Sequence, residues 1–223
     1  MRVKQIGNGG AFDFESVNSS FLIEEGSEYI LFDCGYSVYA ELRKLNDYHD
    51  EIDIKMLRNV YISHMDDDHM GSLKTLIFYM YFMHNIKLNI LAFNEVADEL
   101  NLYLKDMKKY IDLHKLSNGI ICNGLKLESI KTSHHVECYG LIVSDNKNSI
   151  MISGDTKALV NFPEIVSRYE NKIIFHDFSE WDNEEQQVHA CKTDVNRYYP
   201  KELQENIIWY HNNKDFDKKW RTI

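Results

Sequence analysis

Val60-Tyr61-Ile62-Ser63-His64-Met65-Asp66-Asp67-Asp68-His69-Met70-Gly71 is the stretch that decides the fold, because an apolar run leads directly into a dense group of metal-binding side chains. Residues 60–63 predict a short buried strand, and Gly71 is typical of a tight turn that opens a helix. Two imidazoles and three carboxylates within six residues cannot be buried unpaired, since each ionised carboxylate costs several kcal/mol to desolvate. A divalent cation would offset that cost, whereas the alternative is an acidic surface loop with two incidental histidines.

Further ligand types follow apolar segments later in the chain. They are Ser133-His134-His135, Ser153-Gly154-Asp155-Thr156, Val188-His189 and the run Ile207–His211. Several strand ends can converge on one edge of an α/β sheet, which is where such enzymes place their sites. We therefore expect these segments to contribute ligands to the same site. The residues alone leave open whether His134 or His135 is the ligand.

This pattern resembles the metallo-β-lactamase fold superfamily, whose dinuclear signature is a His-x-His-x-Asp-His loop, a separate His, a bridging Asp and a last His. Here the loop reads His64-x-Asp66-x-Asp68-His69. The closer similarity is to the tRNase Z and cyclic-nucleotide phosphodiesterase branch, including the anti-Pycsar type of phage phosphodiesterase, and it extends over nearly the whole chain. Further segments that carry the resemblance are Gly7–Phe12, Asn18–Ile23, Leu31–Gly35 and Ser133–Gly140.

The resemblance implies a set of seven metal ligands shared between two ions. It selects His134 rather than His135 for this set. The first ion would be held by His64, Asp66 and His134, and the second by Asp68, His69 and His211, with Asp155 bridging.

The resemblance also implies a catalytic group that does not bind metal. His176-Asp177 resembles the branch's His-Glu pair, and His189 resembles an extra histidine that serves catalysis. We place Asp68 with His189 and Asp177 in the predicted catalytic set. The alternative for His189 is a surface histidine in a polar loop.

Asp66 stands where the superfamily usually has its second histidine, although some members resemble this chain in having a His-x-Asp-x-Asp-His loop. A carboxylate is a harder ligand than imidazole and adds negative charge, so the preference of the first site moves from zinc toward manganese or iron. Zinc also accepts carboxylate oxygen. We expect two divalent ions, with zinc as the first expectation and with manganese or iron open because of Asp66.

The expected chemistry follows from the charge of such a pair. Two divalent cations about 3.5–4 Å apart lower the pKa of a bridging water toward neutrality, so that hydroxide is available as a nucleophile. In a phosphodiester the developing charge lies on the phosphoryl oxygens, which the metals and a protonated His189 would neutralise. We hypothesise that His189 also protonates the leaving alkoxide, with Asp177 fixing its tautomer and raising its basicity.

Composition and periodicity predict an α/β domain over residues 1–223, since hydrophobic residues make up 44% and no composition break divides the chain. The resemblance implies more, namely a single-domain αββα metallo-β-lactamase sandwich with the site along one sheet edge. Expected helices cover 37–46, 69–85, 94–108 and 157–169. Expected strands cover 2–6, 19–24, 28–33, 59–63, 87–92, 119–122, 124–132, 139–144, 149–153 and 172–176.

Other polar and sulfur-containing residues are expected to be structural. Asp33, at a strand end, should accept backbone N–H bonds from the metal loop. His49, His84 and His114 have no companion ligands. The scattered cysteines are expected to be reduced thiols packed in the interior, at Cys34, Cys122, Cys138 and Cys191.

Neither secretion nor membrane insertion is expected. Met1–Gly7 lacks the apolar core of a signal peptide, which favours a cytoplasmic protein. Leu73–Met83 is too short, and at Lys74 too polar, to span a bilayer. Its apolar character on all sides predicts a partly buried core helix or a dimer surface. The resemblance implies a homodimer in which a neighbour's loop covers the site, and we expect the apolar helix over 76–83 to supply the interface.

A small phosphodiester is the expected substrate. The net charge of −10 argues against a long polyanion, because binding to a phosphate backbone depends on Lys and Arg clusters. The tRNA-processing members of the branch carry an inserted arm between the third His and the bridging Asp. Here only 21 positions separate His134 from Asp155, which is enough for a hairpin. A cyclic mononucleotide fits better, with aromatic residues stacking on its base.

Four functional classes stay open at this level. A metal-dependent phosphodiesterase leads, and the others are a lactonase-like hydrolase of another small ester, a tRNase Z-like ribonuclease and a metal-binding sensor inactivated by Asp66. The His189 and Asp177 pair favours the phosphodiesterase over the lactonase, because ring opening of a lactone does not require that extra acid. Retention of all seven ligand types argues against the inactive sensor.

Overall fold

The chain is built from short strands and helices, and the computed structural model describes all of it except residues 123, 146, 183–186 and 213–215 and the side chains of 121 and 122. The strands are β1 (Arg2–Gly7), β2 (Ser20–Glu25), β3 (Glu28–Phe32), β4 (Leu57–Tyr61), β5 (Leu88–Phe93), β6 (Ile111–Leu116), β7 (Ile120–Cys122), β8 (Leu125–Lys131), β9 (Tyr139–Ser144), β10 (Asn148–Ile152), β11 (Asn171–Asp177), β12 (Ile207–Tyr210) and β13 (Arg221–Thr222). The helices are α1 (Val38–Asp47), α2 (Asp67–Met70), α3 (Leu73–His84), α4 (Asn94–Tyr103), α5 (Phe162–Ser167), α6 (Lys192–Tyr198) and α7 (Lys201–Asn206).

The chain divides into two compact units, each with its own sheet. The first unit comprises Met1–Leu116 and Asn213–Thr222, and the second comprises Ser117–Asn212 with Ile223. The strand order is β13-β1-β2-β3-β4-β5-β6 in the first and β12-β11-β10-β9-β8-β7 in the second. The predicted mixed α/β class is confirmed. A single domain over residues 1–223 stays a prediction.

The sheet of the first unit changes from antiparallel to parallel at β3. Strands β1, β2 and β3 are antiparallel, and Glu25 faces Glu28 across a two-residue turn. Gly26 takes a φ of 60° in that turn, a backbone conformation that favours glycine. Strands β3, β4, β5 and β6 are parallel, so their carboxyl ends share one edge. Asp33 and the segment that begins at Ile62 both leave the sheet at that edge.

The sheet of the second unit also gathers several strand ends at one edge. Strands β10, β11 and β12 are parallel. Strands β8 and β10 are each antiparallel to β9, so β8 runs in the same direction as those three. The chain leaves this edge after Lys131, Ile152, Asp177 and Tyr210. The topology therefore brings together residues that are far apart in the sequence.

The apolar run before the metal loop is buried as predicted, and Val60, Tyr61 and Ile62 are each 0% exposed. Strand β4 is hydrogen-bonded to β3 on one edge and to β5 on the other, and parallel strands of this kind are buried on both faces. In the second unit a core cluster joins the sheet to α5 and α6 through Ile142, Met151, Ile174, Phe162 and Val195.

The cysteines are free thiols as far as the structure describes them. Cys34, Cys138 and Cys191 are buried and form no disulfide, as predicted. Burial raises the pKa of the Cys34 thiol to about 12 and that of Cys191 to about 11. Both are therefore packing groups rather than thiolate ligands. The side chain of Cys122 lies outside the described residues.

The prediction of one continuous helix over 69–85 is wrong, because this segment forms two separate helices, α2 and α3. The backbone that follows β3 packs so closely here that a Cβ on Gly35 would overlap the carbonyl oxygen of Asp68. The Ser72 amide donates instead to the Cys34 carbonyl at 3.1 Å. The Ser72 hydroxyl donates to the Gly35 carbonyl at 2.6 Å. This close packing ends α2 after one turn.

The predicted helix over 157–169 is confined to α5. The amides of Lys157, Ala158 and Leu159 donate to groups outside this segment at 2.9–3.1 Å, so they do not join a helical ladder. Pro163 then lies in the first turn of α5, where its missing N–H costs nothing.

The sequence does not predict β6, and it extends the preceding helix to residue 108, beyond the end of α4 at Tyr103. Strand β6 is an edge strand whose only partner among the described strands is β5. It exposes Asp112, His114 and Lys115, so it lacks the alternation of apolar and polar residues that marks a strand.

Helix α3 holds the longest apolar stretch of the chain and is buried on one side. Its buried residues are Leu73, Leu76, Ile77 and Met80. On its other side Phe78, Phe82 and Met83 are 41%, 64% and 68% exposed. Among the described helices, none has both the length and the apolar character that a bilayer crossing requires.

Candidate metal centre

The metal loop lies at the carboxyl end of β4 and leads into α2. Asp66 is the N-cap residue of this helix, and Asp68 and His69 lie within its single turn. His64 is 0% exposed, His69 is 1% exposed and Asp68 is 5% exposed. The acidic residues favour a helix start here, because free N–H groups and the helix dipole stabilise negative charge. The sequence thus places His64, Asp68 and His69 in buried positions at the start of α2, with Asp66 partly exposed beside them.

Each imidazole of the metal loop faces a carboxylate of the same loop. His64 Nε2 is 3.5 Å from Asp66 Oδ2, and His69 Nε2 is 3.3 Å from Asp68 Oδ2. The centroids of the two imidazole rings are 4.1 Å apart. Two ligand atoms that are each about 2.1 Å from a tetrahedral zinc ion lie about 3.4 Å apart. The spacing of both pairs therefore fits a cation held by nitrogen and oxygen.

Asp33, fully buried just after β3, orients this loop. Its carboxylate accepts the Ser63 amide at 2.8 Å, the Ser63 hydroxyl at 2.7 Å and His69 Nδ1–H at 2.8 Å. Since the Ser63 proton goes to Asp33, Ser63 Oγ accepts His64 Nδ1–H at 2.9 Å. Both imidazoles are therefore Nδ1–H tautomers with the lone pair on Nε2. The prediction that Asp33 accepts a backbone N–H of the metal loop is confirmed.

The second unit brings its predicted site residues to the shared strand edge. His134, Asp155 and His211 follow β8, β10 and β12, and Asp177 ends β11. Asp177 is 0% exposed, Asp155 is 2% exposed and His211 is 8% exposed. His189 lies between β11 and α6. The parallel register of these strands, rather than proximity in sequence, places the side chains together.

His211 and Asp155 repeat the spacing found in the metal loop. His211 Nε2 lies 3.6 Å from Asp155 Oδ2. The His189 ring stacks on the His211 ring at 4.8 Å, and the His134 ring is 5.7 Å from His189. His134 Nδ1–H donates to the Val188 carbonyl at 3.3 Å, which again leaves the lone pair on Nε2. These imidazoles are oriented as ligand histidines require.

In the imidazole–carboxylate pairs above, the imidazole faces the carboxylate through Nε2, whereas His189 does so through Nδ1. Its Nδ1 is 2.8 Å from Asp177 Oδ2 and 3.7 Å from Asp155 Oδ2. Asp177 Oδ2 also accepts the Thr156 amide at 2.8 Å, and the Asp177 amide donates to Ser153 Oγ at 2.9 Å. Because a carboxylate only accepts, His189 is an Nδ1–H tautomer, and the general-acid hypothesis requires Nε2 to be the nitrogen that exchanges a proton. The contact needed by the general-acid hypothesis is present, and the role stays a prediction.

The alternative role of His189 is metal binding. Asp155, Asp177 and His189 place one ligand atom each within 4.8 Å of one another. Carboxylate and imidazole donors of this kind suit zinc, manganese and iron alike. The arrangement thus supports binding of a divalent metal without identifying the element.

His176 is a packing residue of the second unit. Its Nε2 accepts the Tyr199 hydroxyl at 2.7 Å, and its Nδ1–H donates to the Asp177 carbonyl at 2.7 Å. The Phe162 ring packs edge-on against it at 4.7 Å. Complete burial lowers the pKa of His176. A neutral imidazole therefore supports the strand end that carries Asp177.

Asp33 and Asp177 were predicted to support the metal loop and His189, but the other groups that hold the histidines in place were not predicted from the sequence. Ser63 was readable in principle, because a hydroxyl directly precedes His64. The Val188 carbonyl and the Thr156 amide had no sequence signal, since every residue carries a carbonyl and nearly every residue an amide. His135, adjacent to the ligand position, packs its ring at 4.2 Å from the His134 ring.

Solved structures match this architecture over almost the whole chain. The human short-form tRNase Z superposes with a TM-score of 0.78 and 15% identity, covering 100% of this chain and 99% of that one. The metallo-β-lactamase fold protein YhfI from Bacillus subtilis superposes with a TM-score of 0.73 and 18% identity, covering 95% of this chain and 86% of that one. The metallo-β-lactamase fold implied by the sequence resemblance is confirmed.

Sequence relatives narrow the assignment from fold to family. Two are named Anti-Pycsar protein Apyc1. The protein of Bacillus phage BSP38 is 26% identical over 249 residues, covering 98% of this chain and 92% of the relative. The protein of Paenibacillus sp. (strain J14) is 25% identical over 237 residues, covering 97% and 91%. The family model described as Anti-Pycsar protein Apyc1 matches residues 1–222. The chain therefore belongs to the Anti-Pycsar protein Apyc1 family.

Proposed function

We propose that the chain is a metal-dependent phosphodiesterase that hydrolyses a small phosphodiester, with a cyclic nucleotide as substrate. The observation that carries the proposal is the set of oriented imidazole–carboxylate pairs in each unit, within a chain that matches the Anti-Pycsar protein Apyc1 family over residues 1–222. A fold hosts many chemistries, so the proposal rests on these donor groups and on His189.

The proposed ligand assignment is the one that the sequence resemblance implies. The first ion would be held by His64, Asp66 and His134, and the second by Asp68, His69 and His211, with Asp155 bridging. Support comes from the Nδ1–H bonds of three of these histidines, which keep the Nε2 lone pair available for a cation. Burial of the carboxylates adds to it, because a cation compensates their desolvation.

When bound, two divalent cations supply an activated water and polarise the phosphoryl oxygens. The side chains of the protein orient the groups around the two ions and hold their protons at defined atoms. Asp33 keeps the proton of His69 on Nδ1, and Asp177 does the same for His189. Asp68 remains in the proposed catalytic set, where its carboxylate would accept a proton from the attacking water.

His189 is the proposed general acid. In its protonated form Nδ1–H is held by Asp177, and Nε2–H passes to the leaving alkoxide oxygen as the P–O bond breaks. The carboxylates of Asp177 and Asp155, at 2.8 and 3.7 Å from Nδ1, stabilise the imidazolium. This acid is useful for a poor alkoxide leaving group, which is what ring opening of a cyclic phosphodiester produces.

Charge and topology support a small substrate. The net charge of −10 disfavours a long polyanion. The interval between His134 and Asp155 contains the antiparallel hairpin of β9 and β10. A substrate with a single phosphodiester needs charge compensation only at the metal centre.

The test combines metal analysis with a substrate screen. Purified protein is analysed by mass spectrometry for metal content and assayed against cyclic mononucleotides, bis(p-nitrophenyl) phosphate and simple lactones. We expect two metal equivalents per chain, ring opening of a cyclic mononucleotide to a monophosphate, and loss of activity on chelation that manganese or zinc restores. The His114→Ala variant, which changes an exposed histidine of β6, serves as the matched control and should keep full activity.

Other results would replace the proposal. Turnover of lactones without turnover of phosphodiesters would assign a lactonase. Full metal content without turnover of any substrate would assign a metal-binding sensor. Cleavage of a tRNA precursor in preference to cyclic nucleotides would assign a ribonuclease.

Pairing with a second copy of the chain is a separate prediction. The exposed side of α3, with Phe78, Phe82 and Met83, is an apolar surface of the kind that such pairing buries. Light scattering at micromolar concentration should give twice the mass of 26.4 kDa. A monomeric mass would remove the prediction without affecting the proposed chemistry.

A further inference from the structure

The loop between β1 and β2 carries the two most exposed large apolar side chains in the part of the chain that the structure describes. Phe12 is 99% exposed and Phe14 is 90% exposed, whereas Phe21 and Phe32 on the adjoining strands are 0% and 1% exposed. Rings left in water forgo the stabilisation that burial provides. Exposure of this kind marks a surface that contacts a ligand or a partner.

Hydrogen bonds hold this loop in one conformation. Asp13 Oδ1 accepts the amides of Glu15 at 2.9 Å and Ser16 at 3.2 Å, which forms a turn around Phe14. At the base of the loop the Gly9 amide donates to the Val17 carbonyl at 2.7 Å. A ligand that contacts the rings therefore meets a largely preorganised backbone, and little ordering entropy opposes binding.

Tyr36 connects the loop to the helix that carries the metal ligands of the first unit. Its hydroxyl lies 3.1 Å from the carbonyl oxygens of both Ala11 and Asp13, on either side of Phe12. Its amide donates to the Asp67 carbonyl at 3.2 Å, one residue before Asp68. Tyr36 thus ties the ring-bearing turn, through its side chain, to the turn of α2, through its backbone amide.

We propose that Phe12 and Phe14 form a stacking surface for the heterocyclic base of the substrate. This inference rests on the proposed function, because it takes the substrate to be a nucleotide phosphodiester. Stacking on aromatic side chains suits any base, since each base has a π-face. Two rings two residues apart match a small planar ligand, whereas a stable protein interface needs about 800 Å² from each partner.

The test compares substrates with and without a base. For a cyclic mononucleotide, Phe12→Ala and Phe14→Ala should each raise KM about tenfold, in the range that loss of one stacking contact produces. The value of kcat should stay within about twofold. Hydrolysis of the base-free 1-O-methylribose 3,5-cyclic phosphate, followed by phosphorus NMR, should be unchanged. Phe82→Ala, which removes an exposed ring from α3, should leave the KM of both substrates unchanged.

A second readout does not depend on turnover. Phe12→Trp should keep the KM of the original protein, because an indole also stacks. Its fluorescence should be quenched when a nucleoside monophosphate is added to the metal-free protein, whereas ribose 5-phosphate should leave it unchanged. Tyr36→Phe should give a smaller rise in KM than Phe12→Ala, because the rings remain and only their tether is lost.

Several outcomes would overturn the inference. The first is an unchanged KM for the cyclic mononucleotide in both alanine variants. The second is an equal loss of activity on the base-free substrate, because the loop would then support the metal centre rather than contact the base. A fall in molecular mass in these variants without a change in KM would assign the rings to a second copy of the chain. If the original protein hydrolyses neither cyclic phosphate, the proposed function fails. The stacking surface is then judged from the fluorescence of Phe12→Trp alone. Quenching by the nucleoside monophosphate but not by ribose 5-phosphate would support the stacking surface, and no quenching would reject it.

Discussion

Asp33 in the first unit and Asp177 in the second hold a histidine in the same way. Each carboxylate is 0% exposed, lies at a strand end, and accepts an imidazole Nδ1–H at 2.8 Å and a backbone amide at 2.8 Å. The histidines differ, because the side chain of His69 is 1% exposed and that of His189 is 23% exposed. The same arrangement thus holds a buried histidine in the first unit, which we propose as a metal ligand, and a partly exposed histidine in the second, which we propose as the general acid.

Under the proposed roles, the carboxylate that holds a histidine does not decide whether that histidine binds metal or transfers a proton. Both carboxylates fix a tautomer, but only a histidine in contact with solvent can exchange its proton readily during turnover. We therefore propose that burial and the neighbouring donor atoms separate metal binding by His69 from acid catalysis by His189. This separation can be tested by substitutions in each unit.

The largest effect is expected for His189→Ala. Loss of a general acid should lower kcat about 10²–10⁴-fold, because the leaving alkoxide then departs without a proton. Metal content by mass spectrometry should stay at that of the original protein. His135→Ala is the matched control, since it removes an exposed histidine beside the His134 ring. Loss of a metal equivalent from His189→Ala would make His189 a ligand and end the distinction between the two units.

Changing each of the two carboxylates, Asp33 and Asp177, to its amide should have different effects on metal affinity and on kcat. Asp33→Asn should weaken metal affinity about 10–100-fold, because His69 loses the acceptor that orients it. Asp177→Asn should leave metal affinity unchanged and lower kcat, because it acts on the proposed acid. Metal titration of the chelated protein, followed by initial rates at saturating metal, separates the two effects. Equal losses of metal affinity in both variants would contradict the comparison.

A smaller effect is expected for Asp66→His, which introduces the ligand usual in the superfamily. Replacing a hard carboxylate by imidazole should raise the affinity for zinc relative to manganese. Competition between the two metals, read by mass spectrometry after removal of free ions, measures the ratio. A ratio unchanged from that of the original protein would show that Asp66 does not coordinate. Asp67→His, one position along, is the control.

The smallest effect concerns His176 and the dependence of stability on pH. Burial lowers its pKa below the ordinary value of 6.5, so near pH 6 the unfolded chain binds a proton that the folded chain does not. Its neutral form thus stabilises the fold above pH 6.5, and this contribution is lost as the pH falls toward the lower folded value. His176→Gln lacks this titration.

Urea unfolding of the metal-free proteins should show the free-energy difference between the original protein and His176→Gln narrowing from pH 8 to pH 5. Tyr199→Phe keeps the imidazole and should therefore keep the pH dependence. A difference that stays constant with pH would show that His176 titrates normally in the folded state.

The two units also differ in how far they could be predicted. In the first unit the metal ligands lie within six residues, so their types and spacing identified the loop directly. In the second unit the ligands are dispersed between His134 and His211, and only their order in the resemblance selected them. The helix over 69–85 was predicted as continuous because no local pattern reveals that Gly35 packs against Asp68. Strand β6 was missed because an edge strand can be polar.

The sequence by itself determined the residue types of the site, the apolar run that carries the metal loop and the α/β class, because these depend on composition and local order. The fold family was implied by the resemblance to a known superfamily. The tertiary structure decided which atoms the histidines present. The Nδ1–H tautomers of His64, His69 and His134 depend on a hydroxyl, a carboxylate and a carbonyl, two of which come from distant segments of the chain. Such contacts depend on strand register and close packing, which long-range pairing sets and local sequence does not encode.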